Sequence, residues 1–266
     1  MKKPCALIGF SGFVGATLLN QRKFERCFRS TTIGEMDGGD FDLVVCAAPS
    51  AQKWIANHEP EADRRKVESL IGHLKTIQCN TFVLISTVDV FKRPLAVNED
   101  SLVDEEGLHP YGLHRRGIEK FVAGRFPKHL IVRLSGLVGP GLRKNVIFDF
   151  LNNHNLHMID SRGVFQFYPM VNLWRDIQIA LQAGLNLVHL TAEPVSVAEI
   201  ALAGFDKQFD QTLPVPAPAY DLQSKYAGLF GGEGVYQYSK RETIQTVQAY
   251  AQSEPVTIKP ESKKHG

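Results

Sequence analysis

The sequence lacks most of the features that mark a secreted, membrane-bound or nucleic-acid-binding protein. Its 266 residues include only four cysteines, at scattered positions without a C-x-x-C pair, and this pattern favours buried reduced thiols over disulfides or a metal cluster. The 30 Lys and Arg residues nearly balance the 28 Asp and Glu residues. A net charge of +2 provides no electrostatic surface for nucleic acid or an anionic membrane, so we expect neither as a partner.

Long apolar runs and metal-ligand spacings are also missing. No segment reaches the roughly 18 consecutive apolar residues of a membrane span. The N-terminal apolar run, Cys5 to Ile8, ends at Gly9 and is too short for the core of a signal peptide, so we expect a cytoplasmic protein. The nine histidines show no H-x-x-x-H spacing, and we expect no metal site.

Short apolar runs alternate with amphipathic segments over the first half of the chain. Strands are predicted at 5–9, 26–30, 41–48, 81–86 and 130–134, and helices at 13–23, 61–77 and 111–126. Several strand runs are apolar throughout, as in strands that are covered on both faces. The pattern predicts an α/β fold with a doubly wound parallel sheet, formed mainly by a domain of residues 1–140.

The character of the sequence changes after residues 139–141, which read Gly-Pro-Gly. Residues 141–251 are predicted to form a small substrate-binding lobe, from which a strand at 187–190 returns to the sheet of the first domain. Ser196 is placed to cap a short helix. Residues 211–234 are rich in Pro, Gly and Ala and are predicted as loop, and residues 252–266 are predicted as a flexible tail.

A glycine-rich turn with the spacing G-x-x-G-x-x-G follows the first predicted strand and precedes the first helix. Glycines in such a turn allow a tight bend, close approach of the backbone to a pyrophosphate, and close packing of helix on strand. The helix N-terminus adds unpaired N–H groups and the positive end of the helix dipole. The turn predicts a Rossmann-type dinucleotide site formed by Gly9, Phe10, Ser11, Gly12, Phe13, Val14 and Gly15.

Further segments resemble, in order and spacing, the extended short-chain dehydrogenases/reductases, a group of NAD(P)-dependent sugar epimerases, dehydratases and reductases. The resemblance extends over about residues 4–202. Besides the glycine turn it rests on Cys46-Ala47-Ala48, Ser86-Thr87-Val88-Asp89-Val90-Phe91, His109-Pro110-Tyr111-Gly112, Arg133-Leu134 with Gly139-Pro140, Leu173-Trp174-Arg175-Asp176-Ile177 and Pro194-Val195-Ser196-Val197-Ala198-Glu199-Ile200.

The resemblance implies a catalytic unit of Thr87, Tyr111 and Arg115. In the family a Tyr acts as general acid or base, a Lys four residues later holds the cofactor ribose and lowers the Tyr pKa, and a Ser or Thr bonds the substrate oxygen. This sequence has Arg115 at the Lys position. Arg is a permanent cation on the same helix face as Tyr111, but its planar fork is not equivalent to an ammonium. Activity could therefore survive, be slowed or be lost.

We expect the protein to bind NADP in preference to NAD. The second strand ends without the acid that would bond the adenosine ribose of NAD, and Arg29 and Ser30 can meet a 2′-phosphate instead. Glu35, near the usual spacing for that acid, keeps NAD open. Outside the glycine turn, the expected cofactor contacts are Arg29, Ser30, Cys46, Ala47, Ala48 and Arg115.

Substrate binding is expected on the two segments where relatives in the family meet their substrates. The expected contacts are Trp54, Asn57, Arg143, Lys144 and Asn145. Two adjacent cations and an amide can hold a phosphorylated or nucleotide-linked sugar, or they can lie in a solvated loop. Trp54 can stack on a ring or serve in packing.

These expectations combine into an NAD(P)-dependent oxidoreductase, a reductase or epimerase of a nucleotide-linked or phosphorylated sugar with Tyr111 as general acid or base. Dehydratases of the family carry an acid directly after the catalytic hydroxyl, where this sequence has Val88 and only then Asp89. The alternative is a catalytically impaired cofactor-binding sensor or scaffold, which Arg115 favours. The expected partners are a small-molecule substrate and, as a homodimer, a second copy of the chain.

Overall fold

A computed structural model describes residues 3–48 and 50–258 of the chain. The strands are β1 (Cys5–Ile8), β2 (Arg26–Phe28), β3 (Asp40–Cys46), β4 (Gln78–Thr87), β5 (Leu95–Val97), β6 (His129–Leu134), β7 (Gly136–Val138), β8 (Val164–Phe165), β9 (Phe167–Pro169), β10 (Leu187–Leu190), β11 (Val195–Ser196) and β12 (Asp221–Leu222). The α-helices are α1 (Phe13–Gln21), α2 (Lys53–His58), α3 (Pro60–Thr76), α4 (Pro110–Arg125), α5 (Val146–Asn152), α6 (Leu173–Gln182), α7 (Val197–Phe205) and α8 (Lys240–Ser253).

Six strands form one parallel sheet in the order β10-β6-β4-β3-β1-β2. Every residue of β1 is buried, and β6 is buried in all but its first residue. The order is that of a doubly wound Rossmann-type sheet, and it confirms the predicted fold class. β10 lies parallel to β6 at the edge of the sheet, although residues 135–186 separate the two strands in the chain.

Helices cover both faces of this sheet. On one face α1 and α6 contribute Leu18, Leu173 and Ile177 to a core shared with the strands. On the other face α3 and α4 contribute Leu74 and Ile118. This double cover explains why the strand sequences are apolar at successive positions rather than at alternate ones.

The second half of the chain builds a further core from α5, α7 and α8, in which Ile147, Ile200 and Val247 are fully buried. The helix α7 begins with a capping box, because the Ser196 hydroxyl accepts the Glu199 N–H at 3.2 Å and the Glu199 side chain accepts the Ser196 N–H. The cap predicted at Ser196 is thereby confirmed.

Three two-stranded sheets, β7-β9, β8-β11 and β5-β12, lie outside the main sheet. The loop predicted over residues 211–234 is wrong at Asp221–Leu222, which forms β12 and pairs with β5. A two-residue strand has no periodicity of its own, so only its distant partner defines it.

The C-terminal residues are partly ordered where a flexible tail was predicted from residue 252. The helix α8 continues to Ser253, and Asn152 Oδ1 then accepts the N–H groups of Thr257 and Ile258 at 2.7 and 2.9 Å. Residues 259–266 of the predicted tail lie outside the described residues.

All four cysteines are free thiols, two of them buried and two partly buried. Burial raises the pKa of Cys46 and of Cys79 to about 12, so both thiols stay protonated at neutral pH. Among the helices of the described residues, none is long and apolar enough to cross a bilayer.

Candidate active site

The turn between β1 and α1 needs glycine at two of its three glycine positions for the fold itself. Gly9 has a φ of +84°, and a Cβ there would lie 2.8 Å from the Ala47 carbonyl oxygen. A Cβ at Gly15 would collide with the carbonyl oxygen of Gly9. A Cβ at Gly12 would meet only that same oxygen, at an ordinary 3.6 Å. The protein by itself therefore has room for a side chain at residue 12, which lines a cleft.

The cleft has a volume of about 1850 Å³ and extends from Arg29, past the glycine turn, to Tyr111. It lies at the carboxyl ends of the strands, where parallel α/β sheets bind their ligands. Gly12 is the N-cap residue of α1 and has no side chain to cap it, so the first N–H groups of the helix are left for another acceptor. Of the predicted cofactor residues, the cleft is lined by Gly9, Ser11, Gly12, Phe13, Val14, Arg29, Ser30, Ala47 and Ala48.

Three of the predicted cofactor residues lie behind the described residues that line the cleft. Gly15 packs on the backbone of Gly9, and Phe10 packs against the sheet core. Cys46 is fully buried, with its Sγ 3.4 Å from the Ala48 carbonyl oxygen. These residues shape the turn and the strand end instead of facing the cleft.

Cations from two separate parts of the chain line the cleft. Arg29 follows β2, whereas Arg65 and Lys66 come from α3. The two α3 cations were not predicted, because nothing local in the sequence shows which face of α3 borders the cleft. Glu35, the residue that kept NAD open, belongs to a 3₁₀ turn over residues 33–36 and is absent from the described lining.

At one end of the cleft Thr87 and Tyr111 meet. Thr87 ends β4, and its side chain lies close enough to that of Tyr111 to influence the pKa of the phenol. Tyr111 lies in the first turn of α4, and its backbone N–H donates to Asn57 Oδ1 at 2.9 Å. The His109 side chain caps the same helix by accepting the Gly112 N–H at 3.0 Å. The first turn of α4, which carries Tyr111, is thus held by two side chains at the edge of the cleft.

The environment of Tyr111 keeps its phenol protonated. Burial raises the pKa of Tyr111 above its ordinary value, and the Asp89 carboxylate acts in the same direction. The Arg115 guanidinium and the hydrogen bond with Thr87 lower that pKa, but the net direction is upward. A protonated phenol beside a hydroxyl is suited to donate a proton to an oxygen atom.

Arg115 lies on the expected helix face but is oriented away from the cleft. Its Cζ is 4.1 Å from the centre of the Tyr111 ring, a cation–π contact. The guanidinium contacts the Asp63 carboxylate and donates to the Ser50 carbonyl oxygen at 2.6 Å. Both terminal nitrogens of the guanidinium therefore donate hydrogen bonds inside the protein. The guanidinium is not positioned for the expected contact with a cofactor ribose. Arg115 thus contacts two residues of the cleft lining, Tyr111 and Ser50, without being part of that lining itself.

The predicted substrate residues are divided between lining and structural positions. Arg143, Lys144 and Asn145 line the cleft. Asn145 also caps α5 by accepting the Ile147 N–H at 3.0 Å. The side chain of Lys144 reaches the carbonyl oxygen of Ala51, and burial lowers its pKa.

Trp54 and Asn57, the other two predicted substrate residues, are absent from the lining formed by the described residues. Trp54 is 74% exposed and stacks on His58, with ring centres 4.9 Å apart. Asn57 is engaged with the backbone of Tyr111. Asn57 therefore supports the helix that carries Tyr111.

Two charged residues that were not among the predicted site residues stand beside Thr87. Asp89 lines the cleft, and Lys53 Nζ lies 2.7 Å from Asp89 Oδ1. Asp89 follows the strand end by two residues, a local signal that could have identified it. The pairing of Lys53 with Asp89 could not be identified in this way, because it depends on how α2 packs against distant parts of the chain. No group of three or more His, Cys, Asp or Glu side chains in the described part of the chain is placed to hold a metal ion.

No family model and no curated protein matches this sequence. Many solved structures match its fold at low sequence identity. One is TunA, an NAD-dependent NDP-hexosamine 5,6-dehydratase involved in tunicamycin biosynthesis, with a TM-score of 0.73 and 17% identity over 96% of this chain and 99% of that chain. Another is a UDP-glucose 4-epimerase from Thermotoga maritima, with a TM-score of 0.71 and 16% identity over 93% and 98%. A dTDP-4-dehydrorhamnose reductase from Clostridium acetobutylicum has a TM-score of 0.70 and 18% identity over 95% and 99%.

Proposed function

We propose that this chain, which has the fold of the extended short-chain dehydrogenases/reductases, is an NAD(P)-dependent reductase of a nucleotide-linked or phosphorylated sugar. The observation that carries the proposal is the cleft itself. Between its ends the cleft offers an uncapped helix N-terminus at a glycine that the fold alone does not require, and at one end it offers a protonated tyrosine close to a threonine hydroxyl.

A nicotinamide cofactor in this cleft would supply the hydride. The residues of the chain would manage the oxygen atom of the reacting carbonyl. The Thr87 hydroxyl is placed to orient that oxygen by a hydrogen bond, and Tyr111 Oη to donate a proton to it. The pKa of Tyr111 is raised, so the phenol holds its proton at neutral pH, as proton donation in the reductive direction requires. Arg143 and Lys144 are available for the phosphates of the substrate.

The direct test is to incubate the purified protein with NADPH and a panel of keto-sugar nucleotides and to follow absorbance at 340 nm. We expect oxidation of NADPH with at least one of them. A sensor or scaffold that binds cofactor without turnover is the second candidate, and the engagement of Arg115 by Asp63 and Ser50 favours it. Cofactor binding without turnover of any member of the panel would favour that candidate.

Gly12→Asp is expected to abolish NADPH binding and leave the protein folded. Gly12 has an extended backbone at the N-cap of α1, and Asp is a favourable N-cap residue there, so the melting temperature should be unchanged or higher. The added carboxylate would nevertheless occupy the ligand side of the turn and repel a pyrophosphate. Binding is measured by NADPH fluorescence, with Gly124→Asp on the exposed part of α4 as control. Undiminished binding in Gly12→Asp would place the cofactor elsewhere.

Arg29→Ala is expected to weaken NADPH binding about tenfold, or about 1.4 kcal/mol, and to leave NADH binding unchanged. Only NADPH carries the 2′-phosphate that a guanidinium at this end of the cleft would bind. Parallel fluorescence titrations with both cofactors measure the difference. Tighter binding of NADH by the unaltered protein would reverse the assigned preference.

A further inference from the structure

An ion pair lies next to the reacting end of the cleft and has no part in the function proposed above. Lys53, the first residue of α2, places its Nζ 2.7 Å from Asp89 Oδ1, and the same Nζ donates to Tyr220 Oη at 3.4 Å. The Asp89 side chain is 17% exposed and that of Lys53 is 38% exposed. Burial lowers the pKa of Lys53, but the neighbouring Asp89 carboxylate raises it, and the net direction is upward. The ammonium therefore stays charged throughout the neutral range.

The backbone fixes Asp89 close to Tyr111. A Cβ at Gly112, the residue after Tyr111, would collide with the Asp89 carbonyl oxygen, so a glycine lets the first turn of α4 rest directly on residue 89. The Asp89 N–H donates to Thr87 Oγ1 at 3.1 Å, and Thr87 Oγ1 lies 3.4 Å from Asp89 Oδ2. Thr87 and Asp89 both act on the pKa of Tyr111, so the carboxylate and the phenol lie on either side of the same hydroxyl.

We infer that Lys53 and Asp89 are positioning residues for proton transfer at Tyr111: the Asp89 carboxylate, beside the Thr87 hydroxyl, disfavours loss of the phenolic proton, and the Lys53 ammonium limits this effect by pairing with the carboxylate. As a proton-transfer role, this inference rests on the proposed function. The charges of Asp89 and Lys53 act on the Tyr111 hydroxyl whether or not a cofactor or substrate is bound.

Several charged or titratable groups face this cluster. Arg115, from α4 itself, stacks on the Tyr111 ring and is balanced by Asp63. His109, before α4, responds to both members of the ion pair: burial lowers its pKa, Lys53 acts in the same direction and Asp89 opposes it. The remaining two are Lys144 and Tyr220, each of which interacts with Asp89. Neutralising one member of the Lys53–Asp89 pair leaves all of these groups in place.

The test is a pH titration of the full chain labelled with ¹³C at tyrosine Cζ, followed by NMR, with Tyr111→Phe to assign the resonance. Asp89→Asn removes the carboxylate and should lower the Tyr111 titration midpoint. Lys53→Met leaves the carboxylate unpaired and should raise it, whereas Lys53→Arg keeps the charge and should restore it. The double variant Lys53→Met/Asp89→Asn should return the midpoint toward that of the unaltered protein. In 0.5 M salt the shift from Lys53→Met should shrink, because the pair is partly exposed.

Lys92→Met is the matched control, since Lys92 pairs with Asp104 on the surface at 2.6 Å and should not move the midpoint. A Tyr111 midpoint, or lower bound, that is identical in all variants overturns the inference, and so does a shift equal to that of the control. If turnover is found, Asp89→Asn should also shift the pH profile of kcat with KM nearly unchanged. A shifted midpoint without any turnover would retain the charge balance and reject the proposed reductase activity, so the two failures are distinguishable.

Discussion

Tyr111→Phe is expected to reduce turnover of a keto-sugar substrate by about 10²–10⁴-fold while cofactor affinity stays nearly unchanged. The substitution removes the phenolic O–H and keeps the ring, which is buried and stacked on the Arg115 guanidinium. The proton donor is therefore lost without disturbing the packing of α4. The measurement is kcat from NADPH oxidation, together with NADPH affinity and melting temperature for the same variant.

Two further variants test whether the loss of turnover in Tyr111→Phe reflects the missing proton donor. Thr87→Val should reduce kcat less severely, since it deletes one hydrogen bond to the reacting oxygen and leaves the acid in place. Tyr226→Phe, a partly buried tyrosine of the second half of the chain, should leave kcat unchanged. If Tyr111→Phe retained the full kcat for a confirmed substrate, the acid would have to be another group.

Arg133→Met is expected to lower the free energy of unfolding by about 3–5 kcal/mol, because it strips a buried carboxylate of its main partner. Glu119 on α4 is fully buried, and Arg133 on β6 donates to its two oxygens at 2.9 and 2.7 Å. Ser86 Oγ donates to the same carboxylate at 2.6 Å. Urea unfolding measures the loss. The double variant Arg133→Met/Glu119→Leu should recover much of it, since Arg116, the other cation that pairs with Glu119, keeps Glu105 as a partner.

An exposed pair provides the comparison for this buried one. Arg64 pairs with Glu61 on the surface of α3, and Arg64→Met should leave the urea unfolding midpoint nearly unchanged, because an exposed pair contributes little to stability. The buried pair should also respond to acid. Burial raises the pKa of Glu119, but its bonds to Arg133 and Ser86 outweigh burial and the net pKa is lowered. The stabilisation is therefore complete above the ordinary Glu pKa and is lost as the pH falls through the lowered value.

Features that depend on nearby residues could be predicted from the sequence. Each strand of the main sheet is a short apolar run that can be recognised from adjacent residues. The spacing of the three glycines likewise predicts the turn at Gly9. The same holds for the helix face shared by Tyr111 and Arg115, because positions four apart in a helix are neighbours. The proximity of Thr87 and Tyr111 was predicted only from the family resemblance, because sequence periodicity cannot show that the end of a strand lies next to the start of a helix.

Features that depend on distant partners could not be predicted. The sequence indicates where the Arg115 side chain starts, but Asp63 and the Ser50 carbonyl, more than fifty residues away in the chain, determine where its guanidinium ends. The pairing of Lys53 with Asp89 likewise requires α2 to fold over the end of β4. Each case is a long flexible side chain whose direction is set by tertiary contacts.

The position of β10 at the edge of the main sheet has a consequence for how the chain acquires its structure during synthesis. When residues up to 140 have left the ribosome, β6 is an open edge strand, with an apolar and almost completely buried sequence that still lacks its neighbour. Such an edge can pair with other chains. It becomes covered only after residues 187–190 have emerged and the intervening segment has closed a long loop, a slow type of contact to form. The nascent protein therefore passes through an interval in which aggregation competes with folding, and a fragment that stops at residue 140 would remain in that state permanently.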